Sequence, residues 1–193
     1  MTQFKPTINY RPLSYLNNFR LHDTIYTDEE ETVKVYKAMK RLNPLSNKAT
    51  PVIVKIIDLT NEEQDYIDRL FIYYIVLQDA KHDHLITVKE SFFIKRSNKI
   101  ECWIVMDECD YGTLYNYIEK VEQDDFQIKK RLISDIASGL IYIYYRGLHH
   151  GYLCPKNLLI QKDFASVYAR LRINNYGLLD KIPIDETEMN NGL

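Results

Sequence analysis

Residues 139–160 read GLIYIYYRGLHHGYLCPKNLLI, and this stretch decides the fold. It begins inside a run whose apolar residues recur at helical spacing, which predicts a long helix over about residues 125–146. Those apolar residues are Ile128, Leu132, Ile136, Leu140 and Ile143. Gly147 then ends the helix, and a loop with Pro155 leads into a short strand, NLLIQ. The centre of the chain is therefore a long amphipathic helix, a loop and a strand.

The chain before this helix is dominated by predicted strands. Alternating or continuous apolar runs predict five strands, at residues 19–27, 32–39, 51–59, 86–96 and 100–108. One helix is predicted over 61–80, with Thr60 as its N-cap and Glu63 completing a capping box. A last strand is predicted near 169–174. A sheet-rich half followed by a helical half indicates an α+β fold with two lobes.

Composition and charge exclude several classes of protein. The 193 residues carry a net charge of -2, so no bulk electrostatic attraction to nucleic acid is expected. No apolar run approaches the roughly 20 residues that span a bilayer, and the N-terminus has no apolar signal core. Three cysteines without a CxxC pair predict neither a disulfide framework nor a zinc site. We expect an intracellular protein, cytoplasmic or nuclear, that binds neither nucleic acid nor a membrane.

The loop after the long helix resembles the catalytic segment of protein kinases, in which a family member reads close to HRDLKPENLLI. His150, Leu153, Pro155 and Asn157 match the histidine, leucine, proline and asparagine of that segment. Downstream, RINNYGLLD resembles the metal-binding turn of the family, with Asn175-Tyr176-Gly177 in place of Asp-Phe-Gly. Both matches occur in the family order.

Three stretches nearer the N-terminus extend the resemblance to about residues 19–180. VIVKI resembles the strand that carries the nucleotide lysine, which gives Lys55 that position. HDHLI resembles the turn entering the fourth strand. WIVMDECDYGTL resembles the hinge between lobes, with Met106 as gatekeeper and Glu108 and Cys109 in the nucleotide-binding hinge. Five matches in the right order make the resemblance specific.

The resemblance implies a protein-kinase-like fold in two lobes. A five-stranded antiparallel sheet with one main helix forms the N-lobe, and a partial, mainly helical C-lobe follows. The C-lobe is expected to be partial because the chain ends soon after Gly177. The predicted divisions are an N-terminal arm at 1–18, the N-lobe at 19–109, the partial C-lobe at 110–180 and a loose tail at 181–193.

The same resemblance implies that the residues for phosphoryl transfer have been replaced. Tyr73 stands at the glutamate position, Tyr152 at the catalytic base and Asn175 at the magnesium aspartate. The three glycine positions of the phosphate-binding turn hold Asp28, Glu30 and Val33. Of the family residues that take part in phosphoryl transfer, Lys55 and Asn157 remain. Lys55 can serve either structure or residual ligand contact, and both readings stay open here.

The function predicted from these substitutions is that of a catalytically inactive kinase-like module that binds or regulates a protein partner. The partner would be an active kinase or another regulatory subunit. We predict no metal and no cofactor, with weak magnesium-independent nucleotide binding left open. Two alternatives are a residual or atypical ATP-dependent protein kinase, which Lys55 and Asn157 support, and a truncated fragment without a function of its own.

Overall fold

The described residues form a five-stranded sheet, three α-helices and a two-stranded sheet, arranged in two lobes. The computed structural model describes residues 8, 10–43, 45, 47–118, 126–163 and 169–176. The elements are β1 (Phe19–Thr27), β2 (Val33–Arg41), β3 (Ala49–Asp58), α1 (Gln64–Asp79), β4 (Val88–Arg96), β5 (Lys99–Met106), α2 (Leu114–Ile118), α3 (Phe126–Tyr145), β6 (Leu158–Gln161) and β7 (Arg170–Ile173). Residues 1–7 and 9 of the predicted arm, Gly177 and the predicted tail 181–193 lie outside the described residues.

The N-lobe sheet has the strand order β1-β2-β3-β5-β4, and every neighbouring pair is antiparallel. The predicted five-stranded antiparallel sheet with one main helix is therefore confirmed. The nearly continuous apolar run of β3 follows from its place in the middle of the sheet, where both faces are covered. In the part of the chain that is described, no helix is long and apolar enough to cross a membrane.

One face of this sheet packs against the N-terminal segment. Its buried residues are Ala38, Val52, Val54, Phe92, Ile94, Trp103 and Val105. A 3-10 helix at Leu13–Asn18 covers them and brings the Tyr15 ring edge-on to Phe92, with 5.0 Å between ring centroids. The Tyr15 hydroxyl also donates a hydrogen bond of 2.8 Å to Glu90. Part of the segment predicted as an arm is thus built into the N-lobe.

The opposite face of the sheet packs against α1, whose start differs from the sequence prediction. The helix begins at Gln64, with Glu63 at the N-cap position and no side-chain capping bond. Thr60 does not cap it, because its hydroxyl bonds to Asp58 at the end of β3 and accepts from the Ile100 backbone N–H at 3.3 Å. The predicted capping box is therefore wrong, since a tertiary contact competes for the threonine hydroxyl.

The C-lobe is held together where α3 crosses β7. The buried Asp135 carboxylate accepts a hydrogen bond of 3.0 Å from the Leu171 backbone N–H. Gly139 lies four residues after Asp135 on α3. The helix approaches the loop before β4 so closely there that a Cβ added at Gly139 would lie 2.9 Å from the His84 carbonyl oxygen. The Ile173 backbone N–H also bonds to His84 at 2.9 Å. The same junction therefore ties the C-lobe to the loop that precedes β4.

We expect Gly139→Ala to lower the free energy of unfolding by about 1 kcal/mol. Alanine favours a helix over glycine, but its methyl group would lie 2.7 Å from the Ile173 side chain and 2.9 Å from backbone, so the junction must shift. Urea denaturation of this variant beside Ser134→Ala, an exposed change on the same helix, measures the difference. A midpoint at or above that of the unaltered chain would contradict the close packing.

Candidate functional site

Lys55 lies in the middle of β3, on the face that packs against α1. Its neighbours across the sheet are Val35 on β2 and Ile104 on β5. Only 8% of the residue is exposed. Its side chain, with Tyr73 and Asn175 among others, lines a cavity of about 20 Å³. A cavity of that size has room for a single water molecule.

The Lys55 ammonium has no acidic partner within the described residues. The residues that line its cavity are apolar, phenolic or amide side chains, and none is a carboxylate. Burial lowers the pKa of Lys55 to about 8, and the opposing effects of Cys102 and Asp28 are smaller than that of burial. A buried ammonium without a counter-ion is unfavourable, so the pKa falls instead of the charge being stabilised. The lysine at the predicted phosphate-binding position therefore has no acidic partner among the described residues.

Tyr73 occupies the position where an ion-pair partner for Lys55 would stand. Its hydroxyl donates a hydrogen bond to the backbone carbonyl of Tyr176. Burial raises the pKa of Tyr73 far above that of a free phenol, so the side chain is neutral at physiological pH. The hydroxyl of Tyr176 in turn donates to the Ile86 carbonyl at 3.2 Å. The two phenols fix the turn after β7 to α1 and to the start of β4 without supplying a negative charge.

Tyr73→Phe is expected to lower the free energy of unfolding by about 1–2 kcal/mol, because it leaves the buried Tyr176 carbonyl without its donor. Tyr74 is the matched control. It is equally buried and makes no hydrogen bond within the described residues, so Tyr74→Phe should cost less. Chemical denaturation of the two variants separates them. Equal losses would show that the Tyr73 hydroxyl contributes nothing specific.

The two asparagines at the expected metal positions bond to each other. The Asn175 side-chain nitrogen donates to the Asn157 side-chain oxygen at 2.8 Å. The Asn157 side-chain nitrogen donates to the Tyr152 carbonyl at 2.9 Å. Asn175 also has a positive φ of 55°, a left-handed conformation that asparagine tolerates better than most residues. The described residues contain no group of three or more histidine, cysteine, aspartate or glutamate side chains that could hold a metal ion.

The loop around Tyr152 is braced by its neighbours. The Tyr152 backbone N–H donates to the imidazole Nδ1 of His150 at 3.2 Å. His150 is buried, and burial lowers its pKa, which suits a neutral ring that accepts at Nδ1. With a tyrosine at the base position, the loop presents no carboxylate to accept a substrate proton. The hydrogen bonds of His150 and Asn157 therefore hold the backbone of Tyr152 in place.

The turn between β1 and β2 is closed by its own acidic side chain. The Asp28 carboxylate accepts from the Val33 backbone N–H at 2.7 Å and from the Thr32 hydroxyl at 2.5 Å. Lys34 pairs with Glu31 at 2.7 Å on the outside of the turn. A phosphate-binding turn needs free backbone N–H groups. Here the backbone N–H of Val33 already donates to the Asp28 carboxylate of the same turn.

An ion pair crosses the mouth of the cleft beside the hinge. Lys37 on β2 lies opposite Ile53 on β3, and its Nζ is 3.3 Å from the Glu108 carboxylate. Glu108 also accepts, through its backbone carbonyl, a hydrogen bond of 3.5 Å from Gln161. Burial raises the pKa of the Cys109 thiol to about 12, so this thiol is unreactive. The hinge residues Glu108 and Cys109 therefore lie at the cleft mouth, outside the cavity around Lys55.

A second ionic contact fixes the hinge to the C-lobe. Arg172 on β7 donates to the Asp107 carboxylate at 3.0 Å, and Lys89 lies 2.9 Å from the same carboxylate. Burial opposes the ionisation of Asp107, but these two cations outweigh it and hold its pKa below the ordinary value. The roles of Asp107, Arg172 and Lys37 were not predicted from the sequence. Only the β2 alternation, which places Lys37 on the same face as Val35, offered a signal for any of them.

The structure thus brings Lys55, Tyr73, Met106 and Asn175 to one cavity and joins Asn157 to Asn175. These residues do not fit a magnesium-bound triphosphate. Magnesium prefers anionic oxygen ligands, and the two candidate ligands are neutral amides already bonded to each other.

Comparisons with known proteins agree with the kinase-like fold. The profile of the family described as "Protein tyrosine and serine/threonine kinase" matches residues 29–192. The chain is 27% identical over 169 residues to the maternal embryonic leucine zipper kinase of Xenopus tropicalis, covering 86% of this chain and 23% of that protein. A probable serine/threonine-protein kinase of Dictyostelium discoideum is 27% identical over 141 residues, covering 73% of this chain and 19% of that protein. The chain spans less than a quarter of the length of these relatives.

A solved structure gives the same result for the fold. The crystal structure of Rad53 in complex with AMP-PNP matches 83% of this chain and 38% of that chain, with a TM-score of 0.64 and 20% sequence identity. At that identity the match shows a shared fold. Because the family profile extends over most of the chain, the chain belongs to the protein tyrosine and serine/threonine kinase family.

Proposed function

We propose that the chain is a catalytically inactive protein-kinase-like domain that acts as a protein-binding or regulatory module. The observation that carries this proposal is the amide pair formed by Asn157 and Asn175 at 2.8 Å. Phosphoryl transfer depends on metal ions that neutralise the developing charge on the phosphates. Two amides bonded to each other offer such an ion no negative charge and only part of their oxygen lone pairs.

Two further features support the same proposal independently of the metal site. Among the described residues no carboxylate orients Lys55, and Tyr73 holds its proton where the family has a glutamate. The turn that would cradle phosphates is closed by the carboxylate of Asp28. Each interaction lost from a transition state lowers the rate by roughly 100-fold or more. Several losses together leave no measurable transfer.

The binding role is supported by the outward face of α3. Large apolar side chains on this helix are exposed to solvent, and such patches mark interaction sites. They are Phe126, Ile133, Ile141, Tyr144 and Tyr145. The retained core gives the surface a rigid support. That the partner is an active kinase or another regulatory subunit remains a prediction from the family resemblance.

Residual ATP-dependent protein kinase activity is the competing function, and the retained Lys55 and Asn157 favour it. Incubating the purified chain with γ-labelled ATP, magnesium or manganese and generic protein substrates distinguishes the two. We expect no label on the chain or on a substrate above a protein-free blank. Metal-dependent labelling that disappears in Lys55→Met would establish the enzyme and overturn the proposal of an inactive domain.

A further inference from the structure

The cavity beside Lys55 is lined by hydrogen-bond donors, and the described residues around it include no acid. Lys55 contributes an ammonium, and Tyr74 contributes a hydroxyl that makes no hydrogen bond to another described residue. Asn175 has two amide N–H groups and gives one of them to Asn157 at 2.8 Å. A cavity with this lining favours a negatively charged occupant over a neutral or a positive one.

The size of the cavity limits which anion it can hold. Its volume is about 20 Å³, and it is lined also by apolar side chains from α1, β4 and β5, namely Leu77, Val88 and Ile104. A cavity needs roughly 10–15 Å³ to hold one water molecule. A chloride ion is only slightly larger than a water molecule and fits this space. Phosphate, a carboxylate or a nucleotide is too large for it.

The buried ammonium of Lys55 needs a counter-charge that its surroundings do not supply. The residue is only 8% exposed, and a buried charge is strongly unfavourable unless it is paired. Tyr73 stands at the position of the expected partner, but its hydroxyl donates to the Tyr176 carbonyl and burial keeps the phenol neutral. An anion taken up from solution can supply the charge that these side chains lack.

We propose that this cavity binds a single chloride ion, held by the Lys55 ammonium, with the Tyr74 hydroxyl and the second Asn175 amide N–H as further donors. The ion pairs with the ammonium in place of the carboxylate that Tyr73 lacks. It therefore links β3 to α1 and to the turn after β7. The site is independent of the proposed protein-binding role, and its size distinguishes it from a site for phosphates.

Urea denaturation of the full chain at pH 7 over a chloride series tests the site, with sodium gluconate keeping the ionic strength constant. The urea midpoint should rise and saturate, with half-saturation on the order of 10 mM chloride, the strength of one or two charge-assisted hydrogen bonds. Lys55→Met should not respond to chloride, and Tyr74→Phe should need about 10-fold more of it. Tyr66→Phe is the matched control, because Tyr66 is an equally buried tyrosine of α1 that does not line the cavity.

The chloride response should weaken as Lys55 loses its proton. The other titratable groups that act on Lys55 or line its cavity are Tyr73, Tyr74, Tyr176, Cys102 and Asp28. Burial raises the pKa of the three phenols and of the thiol, so they stay neutral, and a carboxylate is ionised throughout this range. With a pKa of about 8 for Lys55, the half-saturating chloride concentration at about pH 9.5 should be about 30-fold higher than at low pH.

Long-wavelength anomalous diffraction locates the ion, with crystals grown in chloride compared with crystals grown in gluconate. We expect a peak within about 3.5 Å of the Lys55 Nζ atom in the chloride crystals alone. The absence of such a peak would overturn the site, as would a urea midpoint that does not depend on chloride at pH 7. An equal chloride response in Lys55→Met would also overturn it, because the effect would then be that of salt in general.

Discussion

Lys55→Met is expected to raise the free energy of unfolding by about 3 kcal/mol at pH 7, from a pKa near 8 in the fold and 10.5 in the unfolded chain. Methionine has a similar length and volume but no charge to bury. In an active site the corresponding substitution removes a functional group. In this chain it removes an ammonium that has no acidic partner in the described residues, so stability should increase.

The effect depends on pH in a way that identifies its cause. Below about pH 8 the Lys55 side chain is protonated in both the folded and the unfolded chain, so the full penalty of burying its charge applies. Between about pH 8 and 10.5 the unfolded chain binds the proton and the folded chain does not, so the stability of the unaltered chain rises with pH. The advantage of Lys55→Met should therefore shrink through this window.

Urea denaturation of both chains at several pH values between 7 and 10.5 measures this difference. Lys95→Met, which alters an exposed lysine of β4, is the matched control and should change stability by less than about 0.5 kcal/mol at every pH. A loss of stability in Lys55→Met at pH 7 would mean that the ammonium has a favourable partner, and would contradict the unpaired state described above.

Asp135→Ala is expected to lower the free energy of unfolding by about 3 kcal/mol. The buried carboxylate accepts from the Leu171 backbone N–H at 3.0 Å and lies 3.6 Å from the His84 Nδ1 atom. Alanine leaves that N–H without an acceptor and opens space between α3 and β7. The loss should appear as a lower urea midpoint with an unchanged slope.

Asp135→Asn separates the hydrogen bond from the packing. Asparagine is nearly the same size and keeps one acceptor oxygen, so it should cost only about 1 kcal/mol. Equal destabilisation by alanine and asparagine would show that the negative charge, and not the bond to Leu171, is what holds the two elements together.

The strands and helices could be predicted because their apolar patterns match the faces they bury. The alternating β2 lies between the edge strand β1 and the central strand β3, whose apolar run is nearly continuous. The start of α1 at Gln64 could not be predicted from the sequence. The hydroxyl of Thr60, the predicted N-cap, bonds instead to Asp58 and to a backbone group 40 residues away. The local preference of threonine for the N-cap position is overridden by a tertiary contact that exists only in the folded chain.

The candidate site was predictable in its residue types but not in its bonds. The replacement of Asp by Asn175 could be seen in the sequence, whereas its bond to Asn157 depends on the antiparallel pairing of β6 and β7, in which Leu158 faces Ile173. The ion pair of Lys37 with Glu108 likewise spans distant parts of the chain. Contacts of this kind follow from strand register, which the apolar pattern leaves undetermined at the strand ends.

The central claim is that this cleft cannot grip a magnesium-chelated triphosphate, and calorimetric titration of ATP into the purified chain tests it most directly. With millimolar magnesium present, the account predicts no saturable heat at nucleotide concentrations up to about 1 mM, which corresponds to a binding free energy weaker than about -4 kcal/mol. Saturable binding that is tighter with magnesium than with a chelator, and that is lost in Lys55→Met, would contradict the account.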